Sequence, residues 1–321
     1  MTTILPVASG KGGVGKTVLS ANLGVALARA GKTVVLVDLD LGASNLHTVL
    51  GVKNRYPGVG NLIYKQEDNL EALLVETTER RLYLIPGDSL LPGTANLPYF
   101  RKQAIIKALR NLVADFVILD LGSGTAYNTV DFYLAGTGGI VVTTPETTAI
   151  LNAYSFIKTA IYRMLYRSFP NKSEERETVR RFFTKKIEGA DLSASALASE
   201  LRLLSEDAER TARQQLAAFQ PRGVINMAGS PEEIRLGARL RQIARRNLDV
   251  DVEYVGFILR DETVSRSIID RRPTIVTNPE IQFSRSINAI AEKVVANPGG
   301  HAPTLFEDNE DLEDIVRESY G

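Results

Sequence analysis

The sequence predicts an α/β protein: a three-layer, doubly wound and mostly parallel sheet interrupted by a helical insert. Three observations carry this reading. Residues 4–8, 33–39, 82–85, 116–121 and 139–143 are short β-branched runs, apolar without alternation, as expected of strands covered on both faces. Helical patterns lie between them, the order that crossover connections impose on a parallel sheet. After Pro145 the chain turns polar and arginine-rich to about residue 220, and strand character then returns.

The elements follow in order. Residues 4–8 form the first strand, and a glycine-rich stretch over 10–17 follows it. Residues 18–30 carry apolar side chains at helical spacing, and Gly31-Lys32 closes that helix. Residues 33–39 form the second strand. Turns and short helices fill 42–80, with Tyr56-Pro57-Gly58 the clearest break. A helix is expected over 148–168. Its Ala153, Phe156, Ile157, Ala160 and Ile161 recur at helical spacing, which reads as core packing or a dimer face rather than a cofactor site. Beyond it come a strand at 223–227, a helix at 231–246, a strand at 254–258 and a last helix at 284–296, which ends before Asn297-Pro298-Gly299-Gly300. The organisation is a core in two parts, 1–167 and 221–300, around a charged helical insert at 168–220. A tail at 301–321 completes it; from Leu305 this tail holds seven acids and one arginine, a charge that predicts disorder. No internal repeat is found.

Composition excludes several function classes. The 321 residues are 44% hydrophobic and 24% charged, and Lys+Arg and Asp+Glu are both 38. This balance gives no global attraction to nucleic acid or to an acidic membrane. The absence of cysteine rules out disulfides, thiolate nucleophiles and cysteine-held zinc or iron–sulfur clusters. With two histidines, His47 and His301, a histidine-rich metal site is disfavoured. No apolar run spans a bilayer, and the N-terminus begins a strand rather than a signal peptide, so a cytoplasmic protein is expected.

The chemistry concentrates in Gly10-Lys11-Gly12-Gly13-Val14-Gly15-Lys16-Thr17, followed by Val18, between a strand and a helix. Glycines at this spacing let successive backbone N–H groups face phosphate oxygens, and the following helix adds its positive end. Lys16 then reaches the β- and γ-phosphates, and the Thr17 hydroxyl ligates Mg²⁺. Asp38 and Asp40, spaced i, i+2 at the end of the second strand, place two carboxylates on one side of the chain. Strand C-termini are where ligands bind in parallel sheets. Residues 116–120 form a hydrophobic strand ending in Asp120, the Walker B pattern, and would hold a water of Mg²⁺.

Lys11, a second lysine inside the loop, makes the segment resemble the MinD/ParA family of deviant Walker A P-loop ATPases, whose fold is a SIMIBI-like P-loop NTPase. The resemblance implies that Lys11 reaches across a nucleotide-sandwich dimer to the partner's phosphates. It further implies that the loop after Asp38 is a first switch, with Asp40 nearer the attacking water and Asp38 on the metal side. Leu121-Gly122-Ser123-Gly124-Thr125 is similar to the second switch, and its Gly-Ser-Gly form to the flagellar-number branch (FlhG, also FleN). Asn226, at the end of the strand over 223–227, resembles the asparagine that reads the adenine edge. Val255-Gly256-Phe257-Ile258 with Asp261, Val264, Ser267 and Pro273 resembles the family's last strand and loop. The likeness covers residues 1–160 and 221–296.

Within that family, iron–sulfur carriers and nitrogenase-like reductases are excluded because they need cysteines. MinD proper ends in a basic amphipathic helix, whereas this chain is acidic over 307–318, so no direct membrane anchor is evident. The N-terminal helix by which FlhG relatives stimulate a partner GTPase is not expected, since the P-loop starts at residue 10. Lys158, Arg163, Arg167, Arg180, Arg181, Lys185 and Lys186 could meet DNA, as in ParA. Glu174, Glu175 and Glu177 are interspersed among them, which favours a salt-bridged surface over nucleic acid. His47 reads as a local hydrogen bond near the first switch. The sequence thus leads to an ATP- and Mg²⁺-dependent homodimerising switch with slow hydrolysis, acting on an unidentified protein partner or activator. The alternatives are a DNA-partition ATPase, or a biosynthetic ligase of the dethiobiotin or cobyrinate synthetase type.

Overall fold

The computed structural model describes residues 2–298, except 54, 56, 65, 68, 88–96, 98, 137 and 185–192. The acidic tail, His301, Tyr56, Lys185 and Lys186 therefore lie outside the described residues. The chain opens with β1 (Thr3–Ser9), α1 (Lys16–Arg29), β2 (Val34–Leu39), α2 (Leu46–Val49) and α3 (Val59–Ile63). It continues through β3 (Val75–Glu76), β4 (Leu82–Ile85), α4 (Tyr99–Asn111), β5 (Phe116–Ser123), α5 (Tyr127–Tyr133) and β6 (Ile140–Thr143). Next come α6 (Thr147–Arg167), α7 (Glu174–Thr184), α8 (Ala194–Arg202), α9 (Glu206–Ala218) and β7 (Arg222–Ala228). The last elements are α10 (Ile234–Leu248), β8 (Glu253–Leu259), α11 (Glu262–Ile269), α12 (Thr274–Thr277) and α13 (Gln282–Ala296).

The strands form one eight-stranded sheet in the order β3-β4-β2-β5-β1-β6-β7-β8. Every pairing is parallel except that of the two-residue edge strand β3 with β4. From β1 the chain winds one way to β2, and after β5 it crosses to β6 on the other side of β1. The C-terminal end of β1 is therefore a topological switch point, where open α/β sheets bind ligands. The β2–β5 register sets Asp38 opposite Asp120.

The apolar runs look continuous in sequence because both faces of each strand are buried. Val35, Val37, Val117, Leu119 and Ile225 pack into the layer of α4, α5, α6 and α10. Val34, Leu36, Phe116, Ile118 and Val224 face the opposite layer, with α1 and α13. Each such side chain contributes about 1.5–3 kcal/mol by leaving water. In β8 the phase slips, because Val255 bulges between Tyr254 and Gly256 in the pairing with β7. Helix α1 is buried along nearly its whole length. Its Gly24 lets it approach β2 closely, since a Cβ there would meet Leu36 at 3.0 Å. Asn22 accepts a hydrogen bond from the Ile275 N–H at 2.9 Å and ties α1 to α12.

Helices α7, α8 and α9 extend one layer of the core. Val179, Phe182, Leu197, Leu201, Ala208 and Ala212 belong to the same apolar cluster as α6 and α10. Ser193 and Ser205 cap α8 and α9 through Ala196 and Ala208 N–H groups. In the basic stretch, Arg163 and Arg167 pair with Asp131, and Arg180 with Glu177. Asp131 is the hub of this side of the molecule: its fully buried side chain on α5 also takes Lys102 of α4 at 2.5 Å. Burial opposes the Asp131 charge, but hydrogen bonds from Arg163 and Lys102 outweigh it and hold the carboxyl below its ordinary range. Ala153, Phe156, Ile157, Ala160 and Ile161 are all core residues. No helix among the described residues is long and apolar enough to cross a membrane.

Candidate nucleotide site

The loop between β1 and α1 is shaped by glycines at positions where a side chain fails. Gly13 and Gly15 have φ of +80° and +88°, and Gly15 supplies the left-handed N-cap from which α1 starts. The helix consequently begins at Lys16, two residues before its apolar spacing becomes visible. Gly10 passes so close to α6 that a Cβ would lie 2.0 Å from the Asn152 carbonyl oxygen. At the foot of the loop the Ser9 Oγ donates to the Lys11 carbonyl at 2.7 Å.

Lys16 is buried beneath the loop. Burial lowers its pKa, while Asp120 and Asp40 act in the opposite direction. Asp120, at the end of β5, accepts hydrogen bonds from the hydroxyls of Thr17 and of Ser20, the latter at 3.0 Å. Both oxygens of Asp38 accept from the chain that follows it. Its Oδ1 accepts from the Asp40 N–H at 3.1 Å, and its Oδ2 from the Ser44 hydroxyl at 2.6 Å and the Leu46 N–H at 3.0 Å. It therefore pins the loop after β2 at its root. Asp40 is partly exposed and reaches toward β5: a Cβ on Gly122 would sit 3.3 Å from Asp40 Oδ1. Gly122 thus leaves room for the Asp40 carboxylate.

Burial pushes Asp120 up to about 7, with Asp38 adding to the shift and Thr17, Lys16 and Ser20 opposing it. Burial likewise pushes Asp38 up to about 6. Two carboxylates in register across adjacent strands, with the Thr17 hydroxyl beside them, make a hard-oxygen donor set that fits a divalent cation. Because the folded pKa of Asp120 is raised, the stability it contributes is fully present below the ordinary value of 3.8 and is lost as pH rises through about 7. Asp120→Asn is therefore expected to stabilise the nucleotide-free protein at pH 8 by on the order of 2 kcal/mol, and by less at pH 5. Urea unfolding at the two pH values checks this.

Lys11 stands apart from Lys16. Its side chain is 45% exposed, and its Nζ pairs with Glu146 Oε2 at 2.9 Å, at the entry to α6. The hydrogen bond from Lys11 lowers the Glu146 pKa. Sequence reasoning missed Glu146, which lies 135 residues away with no local signal. Asn226, 6% exposed, donates from Nδ2 to the Val14 carbonyl at 2.8 Å. This leaves its Oδ1 for a ligand beside a cavity of about 300 Å³ next to Gly15 and Val18. Met227, Arg260, Ile268 and Phe283 form other walls of that cavity and were not foreseen. Val264 and Asp261, singled out in the sequence only as part of the loop after the last strand, also border it, and Asp261 caps α11 through the Thr263 N–H. His47 contacts the Thr48 hydroxyl at 3.2 Å, and burial lowers its pKa.

The comparisons agree with this geometry. The family model of the CobQ/CobB/MinD/ParA nucleotide binding domain matches residues 5–275. The chain is 28% identical to the antiactivator FleN of Pseudomonas aeruginosa over 312 residues, 95% of this chain and 92% of FleN. It is 28% identical to the flagellum site-determining protein YlxH of Helicobacter pylori over 306 residues, 92% of this chain and 82% of YlxH. The septum site-determining protein MinD of Thermotoga maritima is 37% identical over 160 residues, 48% of this chain and 56% of that protein. Among solved structures, MinD of Pyrococcus horikoshii complexed with Mg-ADP superposes with a TM-score of 0.64 at 21% identity, covering 94% of this chain and 99% of that one. With a glycine-rich loop at the β1 switch point, two acids in register at the ends of β2 and β5, and likeness to FleN and YlxH along nearly its whole length, the chain belongs to the CobQ/CobB/MinD/ParA nucleotide-binding family.

Proposed function

We propose that this protein is an ATP-dependent dimerisation switch with slow hydrolysis, a spatial or numerical regulator of the flagellar kind. The observation that carries the reading is the placement of Lys11: a second cation at the loop, exposed at its rim and paired with Glu146 at the entry to α6, while Lys16 lies buried. A cation so placed can reach the phosphates of a second copy. The flagellar role rests on the length of the likeness to FleN and YlxH, since the likeness to MinD covers about half of this chain.

The residues divide the work by position. Backbone N–H groups of Gly12, Gly13, Val14 and Gly15 cradle the phosphates, with Gly10 setting the loop against α6 and Lys16 neutralising charge from below. Asn226 Oδ1 accepts from an adenine amino group, and Val18 lies against the base. Thr17, Asp120 and Asp38 lie on the metal side. Mg²⁺ held there would neutralise charge on the β- and γ-phosphates. Asp40 is free of the contacts that bind Asp38, and it orients the attacking water. Hydrolysis separates the protomers, so nucleotide state controls which protein partner or activator is held. The switch works in the cytoplasm.

Asp40→Ala is expected to slow phosphate release by about 10²-fold or more while ATP binding persists. The variant then stays dimeric in ATP, which malachite-green phosphate release and light scattering together report. Unchanged turnover would contradict the role of Asp40. ATP-dependent phosphorylation of a small carboxylate would point to the ligase alternative. Salt-sensitive retention of DNA in ATP would point to a partition ATPase.

A further inference from the structure

A second cavity, of about 340 Å³, opens at the end of the sheet opposite the phosphate loop, beside Gly139 where β6 begins. It lies between α4, α5, α6 and the end of α9, and none of the residues assigned to nucleotide binding borders it. Ile106, Leu134, Met164 and Phe219 give it an apolar lining. Its polar side is cationic. Arg167 borders it from α6, and beneath lies the Asp131 hub, where three cations meet one carboxylate. Arg110 reaches it from the exposed end of α4 and pairs with no carboxylate among the described residues. Gln220 borders it as well. Its Oε1 is shielded from water and has no hydrogen-bond donor, while its Nε2 donates to the Ala217 carbonyl at 3.3 Å.

We propose that this cavity is a second ligand site, taking a small organic anion with an apolar body and one hydrogen-bond donor. The acidic group meets Arg110 and Arg167, the donor satisfies Gln220 Oε1, and the body rests on Leu134, Met164 and Phe219. A buried amide oxygen without a donor is costly, and a ligand N–H or O–H removes that cost. The volume lies within the range of small-molecule sites, and an apolar lining with a few convergent polar groups is their usual composition. The site is independent of the nucleotide reading. It is joined to that region through α5, which begins directly after the Gly122-Ser123-Gly124 loop and carries Asp131 and Tyr133 to the cavity wall.

The probe is 8-anilinonaphthalene-1-sulfonate, an aromatic anion with one N–H donor, titrated into the full chain and read by fluorescence. Arg110→Gln removes the rim charge. Ala218→Trp fills the mouth from an exposed position at the end of α9. Both sites are exposed, and thermal melting of each variant confirms that it is folded. Saturable binding that Arg110→Gln weakens by about tenfold, the worth of one charge-assisted contact, and that Ala218→Trp weakens by at least as much by blocking the mouth, is the expected result. The neutral analogue N-phenyl-1-naphthylamine should bind the parent chain at least about tenfold more weakly, for the same reason. Equal binding of the sulfonate by the parent and both variants would overturn the proposal, as would equal binding of the neutral analogue.

Discussion

Replacing Lys16 with alanine should abolish nucleotide binding at millimolar ATP while leaving the fold intact. The ammonium is buried under the loop, where no water could take over a contact with a bound phosphate. Truncating one partner of a buried, charge-assisted pair costs about 2–5 kcal/mol, or roughly 30- to several-thousand-fold in affinity. The effect on the empty protein is different. Burial disfavours the Lys16 charge, and Asp120 and Asp40 only partly offset this. Removing the cation relieves its own desolvation and leaves Asp120 to take up a proton, which its raised pKa of about 7 allows near neutrality. Equilibrium dialysis with labelled ATP should therefore show lost binding, while the melting temperature of the nucleotide-free chain moves little. A large fall in melting temperature would mean that Lys16 holds the loop together rather than serving the ligand.

The second large effect is on stability and lies far from the nucleotide. Asp131→Asn preserves shape but leaves Lys102, Arg163 and Arg167 facing one another without their shared anion. Lys102 is 4% exposed and has nowhere else to place its charge. Breaking a buried ion pair by removing one member costs about 3–5 kcal/mol, which denaturant unfolding at neutral pH would read directly. The pH dependence has a definite sign. The folded carboxyl titrates below its ordinary value of 3.8. Its contribution is therefore present above that value and disappears as pH falls through the lower folded pKa. The parent and Asp131→Asn should converge in stability in strong acid; a gap that persisted there would assign the loss to packing instead.

What the sequence made legible follows from which interactions are local. The sheet was readable because both faces of its strands are covered, so that Val34 and Val35 are equally apolar although they serve opposite layers. The phosphate loop was readable because its chemistry is contiguous from Gly10 to Thr17. Helices α4 and α5 were expected only as crossovers between strands, without bounds. The first is anchored by Lys102 and the second by Asp131, which meet only across the fold. The two-residue strand β3 is too short to carry a pattern. Helix α10 was expected from residue 231, but a 3-10 turn occupies Pro231–Glu233 and the α-helix starts at Ile234. Within the nucleotide site, Asp38 and Asp40 look equivalent in sequence. Only the loop's return, bringing Ser44 and Leu46 onto Asp38, shows that one pins its own loop while the other stays available. Glu146 as the counter-ion of Lys11, and α11 as a wall of the cavity beside Asn226, are tertiary facts of the same sort.

The central claim is that ATP brings two copies together through Lys11. Light-scattering mass, measured with ADP, with ATP, and with ATP on Lys11→Ala, tests it most directly. Lys11 is exposed and its ion pair with Glu146 is a solvent-screened surface pair, so the substitution should leave the fold and ATP binding nearly unchanged. The account predicts a monomer in ADP, a dimer in ATP, and a monomer in ATP for Lys11→Ala. A parent chain whose mass does not change with ATP, or a Lys11→Ala chain that dimerises as the parent does, would contradict it.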